Sequence, residues 1–416
     1  MEIVEDVVIV GGGIAGLSTA LALKRIGVQS LVLERSDMLR TTGAALTLGP
    51  NAWVALDALG VADKLTSIYT SFQKQNITNV ANGAVQEVLF SGSDTSNIAV
   101  RTVHRSTLLE TLARELPANT IRFSAKMKSI QTLQHGGSSI TVLSLEDGTI
   151  IKAKVVIGCD GVHSVVAKWL GLATPIRSSR SAVRGLAVFP QGHGLQHEIH
   201  QFLDRDNKAG FVPLNDKELY WFITYESRLN EDVYMKTKDP ESMQKNILES
   251  MAHFPKVYLD VVRHADLNTV SWAPLMFRAP WDLLYKNLSK GNVTVAGDAM
   301  HPTMPDLAQG GCAALEDAVV LGRHIGNSLI QNGKVVPEAV EGYVKERRWR
   351  VAGVIAASFL SGWVQQERSS WFIKFLRDKV FYKYFYYYVA NIVKYDCGKL
   401  PVVSMSTEAE NMKKSN

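Results

Sequence analysis

Three glycines near the amino terminus, Gly11, Gly13 and Gly16, form the pattern G-x-G-x-x-G. The pattern directly follows a short apolar run that is typical of a buried strand, and it opens a stretch with helical periodicity. At such a turn the first glycine permits the tight bend, the second lets backbone approach a pyrophosphate, and the third allows close packing of helix on strand. We expect the N–H groups at the helix start, including those of Ile14 and Ala15, to bind the phosphate oxygens.

An acidic residue follows at the distance that a dinucleotide site requires. Glu34 ends the second predicted strand, 21 residues after Gly13. Its carboxylate is placed to accept a hydrogen bond from a ribose 2′-hydroxyl, and it disfavours a 2′-phosphate. The pattern therefore predicts resident FAD or NAD rather than NADP, and the neighbouring Arg35 is included among the predicted cofactor-binding residues.

A second candidate stretch begins at Asp298, directly after the apolar run of another predicted strand. Open α/β sheets bind ligands at the carboxyl ends of their strands, and carboxylate oxygens suit the hydroxyls of a ribityl chain. The loop that follows contains Pro302 and Pro305, which either shape the surroundings of a reactive ring or are ordinary loop prolines. The next predicted helix starts with Gln309, Gly310 and Gly311, whose N–H groups could meet an electron-rich ring edge.

These stretches, together with Asp160-Gly161 at the end of a further strand pattern, resemble the single-component FAD-dependent aromatic hydroxylases. That family includes the salicylate and para-hydroxybenzoate hydroxylase type, and the resemblance favours its plant zeaxanthin-epoxidase-like and salicylate-hydroxylase-like branch. The run GDAMHPTMPDLAQGGCAALEDA at 297–318 is the most specific match. The resemblance implies that Asp298 contacts the ribityl chain, that Asp160 serves both FAD and transient NAD(P)H, and that Arg105 lies near the ribityl or phosphate groups.

Two positions depart from the family pattern. Ala167 stands where the family usually has an arginine, seven residues after Asp160. Ala308 stands where a glycine is common before Gln309. The first departure bears on pyridine nucleotide binding, and the second would stiffen the loop beside the flavin.

The resemblance implies an FAD-dependent, NAD(P)H-consuming monooxygenase. Such an enzyme inserts one atom of O2, by way of a flavin C4a-hydroperoxide, into a small apolar or aromatic substrate by hydroxylation or epoxidation. FAD would be the resident cofactor, and NADPH or NADH the transient reductant. Two alternatives stay open: an FAD oxidase or reductase without oxygen insertion, and a non-catalytic protein that uses the FAD fold for binding.

The order of predicted elements indicates an α/β protein in which a Rossmann-type FAD-binding domain is interleaved with a β-rich substrate domain, as in para-hydroxybenzoate hydroxylase. C-terminal helices follow. The predicted FAD-binding domain takes residues 1–70, 100–180 and 280–350, and the substrate domain takes 71–99 and 181–279. The remaining segments are a helical segment at 351–403 and a flexible tail at 404–416.

We expect the β-rich domain to supply the substrate contacts. Arg184 and His200 are candidate catalytic residues there, in addition to Pro302 and Pro305. Because side chains alternate between the two faces of a strand, about half of any such candidates should point away from the substrate. His193 and His197 lie near His200, but no acidic or cysteine companion supports a metal site, so none is predicted. The candidate substrate residues are Phe202, Phe211, Pro213, Tyr220, Phe222, Trp272 and Met276.

Composition limits the remaining possibilities. The chain has 416 residues, 46% of them apolar, with three cysteines and a formal net charge of +5. These values exclude a disordered chain and a disulfide scaffold, and the sparse cysteines favour a reducing, cytoplasmic compartment. The mild positive charge does not require nucleic acid. The resemblance implies a small-molecule substrate and O2 as partners, and we expect a monomer or weak dimer.

The segment 371–395 interleaves aromatic and basic residues. It is interpreted either as a helix that contacts a membrane surface peripherally or as a helix that packs its rings on the body of the protein. Val351 to Val364 is apolar but too short to span a bilayer, which needs about 20 residues.

Overall fold

The computed structural model describes residues 2–39, 44–90, 99–135, 138–205, 207–226, 239–335, 337–364 and 391–403. Within these ranges the chain forms three sheets and ten α-helices. The strands are β1 (Glu2–Val10), β2 (Leu31–Leu33), β3 (Ala45–Leu48), β4 (Lys74–Asn79), β5 (Val85–Leu89), β6 (Arg101–His104), β7 (Ile121–Arg122), β8 (Met127–His135), β9 (Ser138–Leu145), β10 (Ile150–Gly158), β11 (Ile176–Val188), β12 (Ile199–Leu203), β13 (Asn207–Pro213), β14 (Glu218–Glu226), β15 (Ser271–Phe277), β16 (Ser289–Lys290) and β17 (Val293–Val295). The helices are α1 (Ile14–Arg25), α2 (Pro50–Ala58), α3 (Ala62–Thr66), α4 (Arg105–Arg114), α5 (Val165–Trp169), α6 (Pro240–Ser250), α7 (Lys256–Arg263), α8 (Pro280–Tyr285), α9 (Gly310–Asn332) and α10 (Pro337–Val364).

The first sheet has the order β16-β17-β10-β1-β2-β7, and the hairpin β8-β9 pairs with the first half of β10. β1 lies parallel to both β10 and β2. Its residues Val7 to Val10 are buried, as expected for the inner strand of a parallel sheet that is covered on both faces. α1 and α9 pack closely: a Cβ on Gly322 of α9 would lie 3.0 Å from the Cβ of Ala22 on α1.

The second sheet has seven strands in the order β15-β11-β14-β13-β12-β4-β5. It draws on two separate stretches of chain, because β4 and β5 precede α4 whereas the other strands follow α5. α6 and α7 cover one of its faces and form a second hydrophobic core with it, around Trp221 and Tyr258. The predicted fold class, a Rossmann-type α/β unit interleaved with a β-rich unit, is confirmed. The predicted domain limit at residue 180 falls inside β11.

The last described segment, 391–403, packs against the first sheet's helices. The backbone N–H of Asn51 donates to the carbonyl of Val393, and Ile392 is buried. Of the predicted aromatic-basic segment 371–395, residues 371–390 lie outside the described residues, as does the tail 404–416. In the described part of the chain, no helix has both the length and the apolar character that crossing a membrane requires.

Candidate active site

In the glycine turn before α1, two of the three glycines have no space for a side chain, and the third has free space beside it. Gly11 has a φ of +110°, and a Cβ there would lie 2.3 Å from the carbonyl oxygen of Cys159. A Cβ on Gly16 would lie 1.9 Å from the carbonyl oxygen of Gly11. By contrast, a Cβ on Gly13 would have no atom of the described residues within 4 Å, apart from those of its two chain neighbours. Packing therefore demands glycine at Gly11 and Gly16, whereas Gly13 leaves a cradle free.

The amino terminus of α1 opens onto this cradle. No side chain among the described residues caps the helix, whose first residues are Ile14 and Ala15. Uncapped N–H groups at a helix start favour an anion. Next to them Glu34 is buried, with Oε2 accepting from the N–H of Gly12 at 2.8 Å and Oε1 accepting from the N–H of Ser36 at 2.9 Å. Each carboxylate oxygen keeps a lone pair with which a ribose hydroxyl could bond.

The turn after β17 brings Asp298 to the same place. Gly297 has a φ of +58°, and a Cβ on it would come within 2.7 Å of the Cβ of Ala15. The turn therefore lies directly on the first residues of α1. Asp298 itself is exposed and makes no hydrogen bond or ion pair with another described residue. A carboxylate at the carboxyl end of a parallel strand is thus free to bind hydroxyls beside the phosphate cradle.

The start of α9 also converges on this corner. A Cβ on Gly311 would lie 3.8 Å from Cδ1 of Ile14 and 2.8 Å from Cδ1 of Leu46. No side chain among the described residues caps α9, so the N–H groups of its first turn have no capping acceptor there. Just before it, the hydroxyl of Thr303 is buried and lacks a hydrogen-bond partner in the described chain. The arrangement suits a polar ring edge.

The FAD binding domain family matches residues 5–358 of the chain. The chain belongs to this family. The sequence is 39% identical over 409 residues to Monooxygenase 2 of Arabidopsis thaliana, covering 95% of this chain and 98% of that protein. It is 30% identical to the 3-hydroxybenzoate 6-hydroxylase of Polaromonas naphthalenivorans, covering 85% of this chain and 86% of that protein. The structure is similar, with a TM-score of 0.78 at 20% identity, to Klebsiella pneumoniae HpxO complexed with FAD and uric acid, over 95% of this chain and 98% of that one.

These findings confirm the resemblance to the single-component FAD-dependent monooxygenases. The protein is an FAD-dependent oxidoreductase of the monooxygenase type. The corner described above fits this cofactor on three counts: the cradle at Gly13, the free carboxylate of Asp298, and the uncapped starts of α1 and α9. We call residues 299–309, between Asp298 and α9, the flavin loop.

Within the flavin loop, the side chain of Gln309 is held by a contact with α2. The residue is only 2% exposed, and its Oε1 accepts from Nδ2 of Asn51 at 2.9 Å. The side chain therefore points into the protein, and only the backbone near Gln309 remains to meet the cofactor. Pro302 is buried, with its carbonyl accepting from the N–H of Arg278 at 3.1 Å, whereas Pro305 is exposed.

Asp160 lies beside the glycine turn, and Arg105 lies at the start of α4. Oδ2 of Asp160 accepts from the N–H of Val165 at 2.7 Å, and Oδ1 accepts from the hydroxyl of Ser164 at 2.5 Å. Burial raises the pKa of Asp160, and these hydrogen bonds oppose that rise. The carboxylate thus organises the start of α5. Arg105 begins α4, and its N–H donates to the carbonyl of Ala44 at 3.2 Å. Arg35 lies on the surface next to Glu34.

A buried ion pair joins the flavin loop to the second sheet. Nη1 of Arg180 lies 2.9 Å from Oδ2 of Asp306, and Nη2 lies 3.1 Å from Oδ1. Nη2 also donates to the hydroxyl of Thr224, and Nζ of Lys208 lies 3.7 Å from Asp306. The Asp306 side chain is 1% exposed. Burial lowers the pKa of Lys208, against the attraction of Asp306. Sequence inspection missed this pair, because its partners lie 126 residues apart.

Because Arg180 reaches the flavin loop, its face of the second sheet is the face turned toward the FAD site, here called the inner face. Arg184 lies on the same face, four residues along β11. It pairs in register with Phe222 and hydrogen-bonds with the hydroxyl of Tyr220. The rings of Tyr220 and Phe222 are stacked at 6.0 Å. These three predicted residues therefore line one wall together.

Several other predicted substrate or catalytic residues lie on the opposite, outer face of the second sheet, away from the flavin loop. Phe202 and Phe211 belong to the second hydrophobic core, where Phe202 lies 5.7 Å from the ring of Tyr258 on α7. His200 stacks on Phe211 at 4.8 Å, and burial lowers its pKa. Trp272 packs against the same core. Their apolar character serves packing under α6 and α7.

Two further candidates lie at strand ends. Pro213 pairs in register with Leu219, whose side chain is in the second core, which places Pro213 on the outer face as well. Met276 is half-buried in β15, opposite Arg177. Among the described residues, no group of three or more metal-ligating side chains comes together.

A buried charged network behind the flavin loop also escaped sequence inspection. Glu316 and Asp317 are adjacent on α9, and both are fully buried. Arg347 on α10 is fully buried between them, with Nε donating to Oδ1 of Asp317 at 2.7 Å and Nη1 lying 2.7 Å from Oε2 of Glu316. Oδ2 of Asp317 accepts from the N–H of Gly297 at 2.8 Å and lies 2.6 Å from Nε2 of His301. The network thus holds the turn that carries Asp298.

Arg278 has a structural role. Its guanidinium is buried, with Nε donating to the carbonyl of Met300 at 2.9 Å and Nη2 donating to the carbonyl of Ala299 at 3.2 Å. Nη1 donates to the carbonyl of Ala173. The side chain therefore anchors the first residues of the flavin loop.

Proposed function

We propose that the protein consumes NADPH or NADH and hydroxylates or epoxidises a small apolar or aromatic molecule. The molecule would be held between the flavin loop and the inner face of the second sheet. The observation that supports this most is the shared wall of Arg184, Tyr220 and Phe222, on the face whose Arg180 reaches the flavin loop. An aromatic wall with one cation suits a planar substrate that carries a phenol or carboxylate.

The chain's own residues would bind and orient FAD. Gly13 and the start of α1 would hold the pyrophosphate, Glu34 the ribose, Asp298 the ribityl chain, and the start of α9 the ring edge. When bound, FAD supplies the transfer of one oxygen atom from O2 to the substrate. Pro302 and Pro305 would shape the loop beside the ring. The Arg180–Asp306 pair would keep that loop against the second sheet, which excludes water from the reacting atoms.

Arg184 and Tyr220 would divide the positioning of the substrate. Burial raises the pKa of Tyr220, so the phenol stays protonated at neutral pH and can donate a hydrogen bond. The guanidinium of Arg184 would attract an anionic substituent. Phe222 would then offer its ring face to the aromatic plane.

Three finer assignments form part of the proposal. The protein would act in the cytoplasm, as a monomer or weak dimer. Peripheral membrane contact through 371–395 would be an added property of the C-terminal segment. None of these assignments affects the chemistry at the inner face.

The deciding experiment measures NADPH and NADH oxidation by the purified yellow holoprotein, with small phenols, indoles and terpenoids as probes under ¹⁸O2. We expect one class to stimulate oxidation and to gain a single ¹⁸O atom. Arg184→Gln should raise KM for an acidic substrate by about tenfold or more while leaving FAD content unchanged. Arg263→Gln, at an exposed ion pair on α7, is the matched control.

Two results would overturn the proposal. A preparation that takes up no FAD would remove the cofactor on which it depends. Oxidation of NAD(P)H with release of hydrogen peroxide, and no labelled product across the panel, would instead support the oxidase alternative.

A further inference from the structure

Asn51, at the start of α2, is a fully buried amide that joins two elements of the FAD site. Its Nδ2 donates to Oε1 of Gln309 at 2.9 Å and to Oε1 of Glu316 at 2.5 Å. Its Oδ1 is buried without a hydrogen-bond partner in the described chain. Both N–H groups are therefore committed, whereas the acceptor atom of the same amide is left unused.

The carboxylate of Glu316 sets the orientation of this amide. A buried carboxylate can only accept, so it requires the NH2 end of Asn51 rather than the oxygen. Burial alone would raise the pKa of Glu316, but Arg347 and Arg350 outweigh it and lower the pKa, which keeps the group ionised. With the NH2 end turned this way, Gln309 must in turn present its oxygen to Asn51.

These contacts continue to the turn that carries Asp298. Glu316 is paired with Arg347, Arg347 with Asp317, and Asp317 accepts from the N–H of Gly297. A chain of buried hydrogen bonds and ion pairs thus runs from Gly297 to Gln309, behind the space assigned to the cofactor.

We propose that Asn51 is a positioning residue that holds Gln309, and with it the uncapped first turn of α9, in place against the ring edge of FAD. The inference rests on the FAD site described above. Gln309 itself is the residue that precedes the first helical N–H groups, and no side chain in the described part of the chain caps them. Holding it keeps these donors aimed at the negative charge that reduced flavin carries at that edge. Asn51 acts only through Gln309.

Asn51→Asp tests this directly in the holoprotein, with the FAD reduction potential as the readout, so that no substrate is needed. The variant keeps the shape but replaces a double donor with an acceptor beside Glu316 and Gln309. We expect the affinity for reduced FAD to fall about tenfold relative to the affinity for oxidised FAD. For a two-electron couple this makes the reduction potential about 30 mV more negative. FAD content should remain measurable.

The chain supplies a matched control at Asn76 in β4, within the second sheet. Nδ2 of Asn76 donates to Oε2 of Glu198 at 2.6 Å, and its Oδ1 is also buried without a partner in the described residues. Asn76→Asp therefore repeats the same chemistry away from the FAD site. We expect it to lower stability without moving the potential, and an equal shift in both variants would overturn the proposal.

The double variant Asn51→Asp/Glu316→Gln exchanges donor and acceptor, so that the new amide at position 316 can donate to the new carboxylate at position 51. Recovery of the potential relative to Asn51→Asp supports the proposal, and a potential that does not recover overturns it. If Asn51→Asp fails to fold, Gln309→Leu removes the other end of the same contact. The potential should fall again, and a wild-type potential in Gln309→Leu overturns the proposal.

Because the potential is measured without substrate, these outcomes are separate from those of the proposed reaction. A protein that yields no oxygenated product could still show the Asn51 effect. A protein that yields the product could equally lack that effect.

Discussion

Nε of Arg347 lies 2.7 Å from Oδ1 of Asp317, and both side chains are fully buried. The same guanidinium meets Glu316, and Asp317 also receives the N–H of Gly297. A long helix near the end of the chain thereby holds the turn that carries Asp298. The pair supports the FAD site structurally, because it holds this turn through the backbone of Gly297.

Removing one partner of this pair should be costly. Arg347→Met leaves two buried carboxylates without their shared cation, and we expect a loss of about 3–5 kcal/mol in unfolding free energy. Urea titration of the apoprotein measures it. Arg114→Met, at the exposed pair with Glu110, should stay within about 0.5 kcal/mol. A similar small change in both variants would contradict the structural role of Arg347.

Glu346 predicts an acid-dependent contribution to stability. Burial alone would raise its pKa, but hydrogen bonds from His324 and Arg323 and their charges outweigh burial and lower the pKa to about 2. A carboxylate with a lowered folded-state pKa stabilises above its unfolded value, near 4.5, and loses that contribution as pH falls toward 2. We expect Glu346→Gln to cost about 2 kcal/mol at pH 7 and only a small part of that near pH 2. Urea titrations of both proteins across that range test this, and a pH-independent difference would contradict it.

The two glycines at the phosphate turn should separate folding from binding. A Cβ on Gly16 would clash with the backbone of Gly11, whereas a Cβ on Gly13 meets nothing within 4 Å. Gly16→Ala should therefore lower the thermal midpoint of the apoprotein. Gly13→Ala should leave that midpoint within about 2 °C and weaken FAD binding by about tenfold or more, because the methyl group fills the cradle. Fluorescence titration with FAD measures the second effect, and normal FAD affinity in Gly13→Ala would show that the pyrophosphate lies elsewhere.

Short-range sequence patterns predict the positions of the residues around the glycine turn, but they do not predict which residues of the second sheet face that turn. Gly11, Gly13 and Glu34 act through one turn and two adjacent strands, so their spacing carries the geometry. The Arg180–Asp306 pair joins positions 126 residues apart, and no local pattern marks it. Alternation along a strand separates Tyr220 from its buried neighbour Trp221, yet it cannot say which face meets the cofactor. That depends on α6 and α7, whose apolar sides pack against the outer face.

Arginine placement shows the same limit. The cluster of basic residues at 345–350 has the composition of a solvated helix face, but Arg347 is fully buried and Arg350 is mostly buried. Their partners Glu316 and Asp317 lie on a helix that packs against α10. Helical periodicity places residues on a face, whereas the burial of a charge depends on whether a complementary charge occupies the facing helix.

Ala308, which stands where the family commonly has glycine, has a backbone conformation that favours glycine. Its φ of +53° lies in the left-handed region, where a Cβ costs about 1 kcal/mol and glycine fits freely. The gain from relieving that strain offsets the entropy that glycine loses, so Ala308→Gly should change unfolding free energy by less than about 0.5 kcal/mol. Ala356→Gly, inside α10, should lose about 1 kcal/mol. Urea titration compares the two, and an equal loss at both positions would mean that Ala308 is unstrained.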